Sequence, residues 1–105
     1  MSVAYRALEK LINLHDGYRR VFRLANREML LLQENDEPRL LERRCPHAGQ
    51  LLDLAPIDTS RLVCPRHGVS FSLADGSPEP PICPALHIRE LVYEGNSVGV
   101  EDCDE

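Results

Sequence analysis

Apolar residues recur in short runs along the first 43 positions, and charged or turn-forming residues separate the runs. The runs lie at residues 18–24, 29–33 and 39–43. Asn26-Arg27 separates the first run from the second, and residues 34–38 separate the second from the third. Turns this close together leave no room for crossover helices, so the pattern predicts consecutive antiparallel strands.

The C-terminal part shows a similar alternation of apolar and polar positions. Leu86 and Ile88 alternate with polar neighbours, and Val98 and Val100 alternate across a glycine. Residues 94–96, Glu-Gly-Asn, form a turn signal between the two pairs. We therefore predict that these two segments form a second hairpin.

The N-terminal segment, residues 5–12, is ambiguous. Its apolar residues Leu8, Leu11 and Ile12 have a helical spacing. Eight residues cannot distinguish a helical turn from an edge strand, so both interpretations stay open.

Residues 45–71 differ in character from the strand-rich flanks, and a proline-rich loop at residues 76–81 follows them. A chain of 105 residues can form one compact domain with one core, but is too short for two. The pattern therefore predicts a single all-β domain, residues 1–105, in which a segment of different structure is inserted between the strands.

The charge of the chain is unevenly distributed. The net charge is -5, and residues 1–44 contain nine Lys or Arg and seven Asp or Glu, whereas residues 45–105 contain three and ten. Nucleic-acid binding normally needs a basic face that neutralises phosphates, so we expect no nucleic-acid partner. The acidic part suits a basic protein partner, or is only a solvated surface.

The chain shows no segment typical of export or membrane insertion. Residues 1–10 lack a basic stretch followed by an apolar run, and no apolar stretch approaches about 18 residues. We therefore expect a cytoplasmic location and no membrane association. In the reducing cytosol, the four cysteines are expected to be metal ligands or free thiols rather than disulfides.

Two short segments inside the insertion resemble each other and carry the chemistry. They are residues 45–49, Cys-Pro-His-Ala-Gly, and residues 64–68, Cys-Pro-Arg-His-Gly. Each supplies one thiol and one imidazole, which together suit tetrahedral zinc or a cluster of tetrahedral irons. The candidate ligands are Cys45, His47, Cys64 and His67.

We call residues 45–49 the first box and residues 64–68 the second box. They resemble the signature of Rieske proteins, in which Cys-x-His is followed, after about sixteen residues, by Cys-x-x-His, with a glycine at the end of each box. The resemblance implies the Rieske fold, an antiparallel β-sandwich or barrel-like scaffold (residues 1–43 and 74–105) with an inserted cluster-binding lobe (residues 44–73). It also implies a Rieske-type 2Fe-2S cluster in which Cys45 and Cys64 bind one iron, and His47 and His67 bind the other.

The resemblance implies a soluble one-electron carrier, as in the ferredoxin components of ring-hydroxylating oxygenase systems. Its expected partners are a flavin-containing reductase and a terminal oxygenase. We expect no catalysis by the chain itself, because a cluster with four protein ligands has no open coordination position for a substrate. Respiratory Rieske proteins carry Ser and Tyr where this chain has Val69 and Phe71, so we expect a low reduction potential.

Three alternatives stay open. A structural zinc site would use the same four ligands, although one residue between Cys and His is tighter than the usual spacing of zinc ligands. The small subunit of an assimilatory nitrite reductase, which would bind the large subunit of that enzyme, is similar in length and fold. A non-catalytic redox or iron sensor would need the same cluster.

The remaining cysteines and histidines have no assigned role. Cys83 is expected to be a buried thiol, and His87 a surface imidazole on the polar side of a strand. His15 is isolated in the sequence. Cys103 lies among carboxylates, which disfavour its thiolate.

Overall fold

A computed structural model describes residues 3–47, 49–65 and 68–103. The strands in these ranges are, in chain order, β1 (Val3–Lys10), β2 (Arg19–Leu24), β3 (Arg27–Glu34), β4 (Glu37–Glu42), β5 (Ile57–Asp58), β6 (Arg61–Val63), β7 (Ser70–Ser72), β8 (Pro78–Glu79), β9 (Ile88–Arg89), β10 (Val92–Glu94) and β11 (Ser97–Cys103). Every pairing between them is antiparallel. The predicted all-β class is therefore confirmed.

The strands form three sheets. The central sheet has the order β2-β3-β4-β9, the terminal sheet β1-β11-β10, and the lobe sheet β5-β6-β7-β8. Two-residue turns join β2 to β3 and β3 to β4, with positive φ at Ala25 and Asn26 and at Asn35 and Asp36. Such turns match the right-handed twist of the flanking strands. They place the first three predicted strands side by side.

The central sheet lies between the other two sheets. Along β3, Leu30 and Leu32 pack into one buried cluster with residues of the lobe. Met29 and Leu31 point to the opposite face and pack into a second buried cluster with Val100 of β11. A strand buried on both faces has a continuous apolar run, which explains why residues 29–32 show no alternation.

The predicted C-terminal hairpin is partly wrong. The turn at residues 94–96 is present, but it joins β11 to β10 rather than to residues 86–89. Ile88 and Arg89 form β9, which pairs with Leu41 and Leu40 of β4. A two-residue strand has too little sequence to reveal its partner, because any neighbouring edge satisfies the same alternation.

The ambiguous N-terminal segment is mostly an edge strand. Residues as far as Lys10 form β1, which pairs along β11, and a single 3-10 turn, Leu11–Asn13, follows. Within the described ranges, no helix is long and apolar enough to cross a membrane.

The inserted segment forms the lobe sheet together with the loops between its strands. Its last strand, β8, pairs with β7. The sheet therefore continues past residue 73, where we expected the lobe to end. The lobe packs on the central sheet through Leu52, Leu62 and Phe71, all fully buried.

Candidate metal centre

The first Cys/His box is the tip of a tight hairpin loop. An antiparallel bridge between Arg44 and Leu51 closes its base. The Cys45 amide donates to the Gln50 carbonyl at 2.8 Å, and the Gly49 amide donates to the Cys45 carbonyl at 2.7 Å. Gly49 has a φ of +68°, which L side chains rarely adopt. The glycine of the box is therefore required by the turn.

The second box forms the same loop. Val63 and Ser70 pair at its base, where β6 meets β7. The Cys64 amide donates to the Val69 carbonyl at 2.8 Å, and the Gly68 amide donates to the Cys64 carbonyl at 3.1 Å. Gly68 has a φ of +71°. Both loops thus hold their cysteine by the same two backbone hydrogen bonds, in the same sequence positions.

The two thiols lie in one buried environment. Cys45 is 1% exposed, Cys64 is 0% exposed, and both belong to the cluster between the lobe and the central sheet. A thiolate in an apolar interior is costly unless a metal or another positive group compensates its charge. The structure therefore brings together the two sulfur ligands that the sequence predicts.

The histidines are described only in part. His47 is partly exposed, and its Nδ1 atom is shielded from solvent. His67 lies outside the described residues, so its place in the site stays a prediction. His47 is two residues from Cys45, so the first loop carries a partly exposed imidazole and a buried thiol.

The donor set fits a two-iron cluster. A Rieske centre needs two thiolates for one iron and two imidazoles for the other. Two buried thiols, with one imidazole nearer the surface, match that division.

An arginine that we did not predict holds the first loop against the central sheet. Arg43 donates from Nε and Nη2 to the Asp53 carboxylate at 2.8 to 3.1 Å, and from Nη1 to Glu28 at 3.1 Å. The hydrogen bonds that Arg43 donates to Asp53 lower the pKa of Asp53 and raise the pKa of Arg43. Arg19 of β2 donates to the carbonyls of Asp53 and Ala55 at 3.1 and 2.6 Å.

The chain segment that follows the proline-rich loop packs into the cluster that holds both thiols. The loop starts at Gly76, whose amide donates to the Ser72 carbonyl and whose carbonyl accepts from the Leu86 amide. Leu86 is buried in the cluster that holds both thiols, and Cys83 packs against that cluster. Cys83 is therefore partly buried, whereas we expected it to be buried.

The two positions next to the second box are apolar and inaccessible. Val69 is 1% exposed and Phe71 is 0% exposed, and both share the buried cluster with Cys45 and Cys64. Neither side chain can donate a hydrogen bond, so they supply the site with packing and low polarity.

The remaining predicted residues lie elsewhere on the surface. His87 is exposed, as expected. His15 is exposed and forms a 3.0 Å hydrogen bond with the Asp16 carbonyl and an edge contact with Tyr18. The Cys103 side chain lies outside what the structure describes.

Comparison with known proteins identifies relatives of this arrangement. A family model described as the Rieske 2Fe-2S domain matches residues 6–90. Apoptosis-inducing factor 3 of mouse is 30% identical over 89 residues, and the human protein is 32% identical over 89 residues. Each alignment covers 84% of this chain, which spans only 15% of the length of those relatives.

Solved structures share the fold. The Sphingomonas yanoikuyae B1 ferredoxin aligns with a TM-score of 0.81 and 19% identity, over 95% of this chain and all of that one. The ferredoxin of carbazole 1,9a-dioxygenase from Nocardioides aromaticivorans IC177 aligns with a TM-score of 0.78 and 21% identity, over 91% and 95% of the chains. A putative small subunit of NADPH nitrite reductase aligns with a TM-score of 0.75 and 15% identity, over 91% of this chain and 96% of that one. These comparisons confirm the predicted Rieske fold and its 2Fe-2S cofactor.

Proposed function

This chain belongs to the family of Rieske 2Fe-2S domains, and we propose that it is a one-electron carrier between a reductase and a terminal oxidoreductase. We propose Cys45 and Cys64 as the ligands of one iron, and His47 and His67 as the ligands of the other. The cluster supplies reversible one-electron chemistry when it is bound. The chain's own residues would bind it, with the two cysteines in the apolar cluster and His47 closer to solvent.

The observation that carries this proposal is the equivalence of the two loops. Each loop fixes its cysteine by the same pair of backbone hydrogen bonds, and both cysteines lie in one apolar cluster. Two equivalent loops, each with one cysteine and one histidine, would supply the four ligands of a 2Fe-2S cluster. The partly exposed His47 then marks the end from which electrons leave.

We infer that the chain transfers electrons and does not transform a substrate. Four protein ligands complete the coordination of the two irons, so no position is left for a substrate. A flavin-containing reductase on one side and an oxygenase on the other are the partners that this role suggests. A ferredoxin that serves carbazole 1,9a-dioxygenase has the same fold, which supports this choice.

Reconstitution of the protein tests the proposal. Purified protein should be brown, bind two irons per chain, and give an anisotropic EPR signal with an average g-value below that of the free electron after reduction by dithionite. Cys45→Ser and Cys64→Ser should each abolish the signal, whereas Cys83→Ser should retain it. One equivalent of zinc in colourless protein from native cells would contradict the cluster assignment.

The partner is tested separately. Reversible reduction by a flavin reductase, followed by oxidation by an oxygenase, favours the ferredoxin role. Stable co-purification with a nitrite reductase large subunit would instead favour the small-subunit role, since a putative small subunit of that enzyme also has this fold. Cluster-dependent binding of a partner without turnover would favour a sensor.

A further inference from the structure

A groove of about 270 Å³ opens at the end of the central sheet beside the first box. Four arginines, two glutamates and one asparagine line it: Arg23, Asn26, Arg27, Glu28, Glu42, Arg43 and Arg44. The residues come from the ends of β2 and β3, from the turn between them, and from the last residue of β4 with the two residues that follow it. The groove is therefore built by strands and a short turn, not by a long loop.

Three of the four arginines leave their positive charge available. Arg43 is engaged by Asp53 and Glu28. Arg44 approaches Glu28 only at 4.0 Å, and its side chain is 59% exposed. Arg23 and Arg27 are exposed and make no hydrogen bond or ion pair with the described part of the chain. The groove consequently has an excess of positive charge.

The groove is continuous with the first box. Arg44 immediately precedes Cys45, and its Nη1 donates to the Gly49 carbonyl at 3.2 Å. The Arg43 amide donates to the Glu28 carbonyl at 3.1 Å, so the ladder between β3 and β4 extends to the residue before Arg44. A molecule bound in the groove would therefore lie beside the loop that carries two of the proposed ligands.

The acidic strands lie on the other side of the domain. β10 and β11 belong to the terminal sheet, which packs on the face of the central sheet opposite the lobe. Glu94 and Glu101 are exposed there. Electron transfer slows steeply with distance, so a partner docked on the terminal sheet would be poorly placed. This argues against docking through the acidic residues of the terminal sheet.

We propose that Arg23, Arg27 and Arg44 form a docking surface for an acidic patch on the protein that exchanges electrons with this chain. The inference rests on the electron-carrier function proposed above, and it reverses the polarity expected from the net charge. Complementary charge beside the loop that carries His47 raises the rate of encounter and fixes the orientation of the transient complex. The net charge of -5 would oppose such a partner, so a local basic surface is needed to attract it.

Carboxylates on a protein surface fit this groove better than a compact phosphate does. Glu28 and Glu42 lie among the arginines and would repel a small, highly charged anion at the centre. Separate carboxylates on a partner can each approach one exposed arginine and avoid both glutamates.

Stopped-flow oxidation of the dithionite-reduced holoprotein tests the local field. One electron leaves the cluster and reduces either hexacyanoferrate(III), an anion, or tris(phenanthroline)cobalt(III), a cation. At low ionic strength, Arg23→Glu and Arg27→Glu should each lower the rate of oxidation by the anionic probe by roughly threefold or more. Each should raise the rate of oxidation by the cationic probe. Lys10→Glu is the matched control, because it changes the net charge equally from an exposed position on β1 of the terminal sheet. It should leave both rates almost unchanged.

A hexaglutamate peptide provides a readout that does not depend on electron transfer. Titrated into ¹⁵N-labelled holoprotein at low salt, it should shift the amide resonances of residues 23–28, and Arg27→Glu should abolish the shifts. Equal effects of Lys10→Glu and Arg27→Glu on the probe rates, or absence of peptide-induced shifts at residues 23–28, would overturn the docking surface. Failure of both redox probes to oxidise the reduced protein would instead count against the electron-carrier function.

Discussion

The guanidinium of Arg43 makes three hydrogen bonds to the carboxylate of Asp53, at 3.0, 3.1 and 2.8 Å. Arg43 is the first residue after β4, and Asp53 lies four residues after the glycine of the first box. The pair therefore closes the loop from the side of the central sheet, while the backbone bonds of Cys45 close it from within. The side chains are 23% and 29% exposed, so solvent partly screens the pair.

We expect Asp53→Asn to lower the free energy of unfolding of the holoprotein by about 1 kcal/mol, because a two-pronged arginine-carboxylate pair exceeds a simple surface pair. The pKa of Asp53 is lowered in the folded state. Its stabilisation is therefore present above the ordinary pKa of 3.8 and is lost as the pH falls through the lower folded value. Denaturant unfolding followed by circular dichroism at pH 7 measures the change. Asp58→Asn is the control, because that carboxylate accepts only a bond from neighbouring Thr59 among the described contacts.

The Tyr18 hydroxyl donates to Glu9 at 2.7 Å and links β1 to the start of β2. Burial, followed by the bond to Glu9, raises the pKa of Tyr18 to about 12. Because the folded pKa exceeds the ordinary value of 10.0, this contact stabilises the fold below pH 10 and is lost as the pH rises towards 12. Ultraviolet titration should show one tyrosine ionising near the upper value, and Tyr18→Phe should delete that step. An unchanged titration curve in the variant would contradict this assignment.

The contribution of Glu9 to stability depends on pH in the opposite direction from that of Tyr18. Hydrogen bonds from Asn13, Tyr18 and the Lys10 amide lower the pKa of Glu9 to about 2. Its contribution is therefore present above the ordinary pKa of 4.5 and is lost as the pH falls from there towards 2. Nuclear magnetic resonance of the Glu9 carboxyl carbon should show a titration well below that of ordinary glutamates. Asn13→Ala should move the Glu9 pKa upwards, because the largest of the three contributions is removed.

The apolar character of Val69 and Phe71 predicts a low reduction potential. Hydroxyl groups at these positions would stabilise the electron added to the cluster, and their absence should leave the midpoint near the bottom of the Rieske range of about -150 to +300 mV. Phe71→Tyr should raise the midpoint in protein-film voltammetry at neutral pH. Phe22→Tyr is a matched control, since Phe22 packs on the opposite face of the central sheet. A wild-type midpoint above about +100 mV would show that other donors replace the missing hydroxyls.

Loss of the cluster should loosen the lobe more than the central sheet, because binding of metal to loops is coupled to their folding. We expect Cys45→Ser to reduce hydrogen-exchange protection in residues 44–73 while the amides of β3 keep most of theirs. Cys83→Ser, beside the site but not among the proposed ligands, should change neither region. Equal loss of protection in the lobe and in β3 would show that the two parts unfold together.

The features that the sequence revealed are those encoded within a few residues. The boxes could be recognised in the sequence because their ligands, proline and glycine lie within five residues of one another. The glycine at positive φ is a local requirement of each turn. The three hairpin strands were equally visible, since their two-residue turns interrupt the apolar runs. The interrupted runs therefore indicated both the number and the order of these strands.

Long-range features were harder to predict. Arg43 and Asp53 are ten residues apart, and an arginine beside another arginine in the sequence gives no sign of which one will be paired. The partner of β9 was missed for a similar reason, because the whole lobe separates β9 from β4 in the sequence. The basic groove could not be predicted from the net charge, which is negative. Its residues come from two separate stretches of the chain, so no single basic segment indicates it.

The first and last described residues, Val3 and Cys103, are register partners at one end of the terminal sheet. That sheet lies across the central sheet from the lobe. A tether at either end would therefore attach to the side of the molecule away from the two boxes. Protein linked to an electrode or a resin through its N-terminus should keep the side that carries the two boxes towards the solution. Linkage through the C-terminus should give the same orientation.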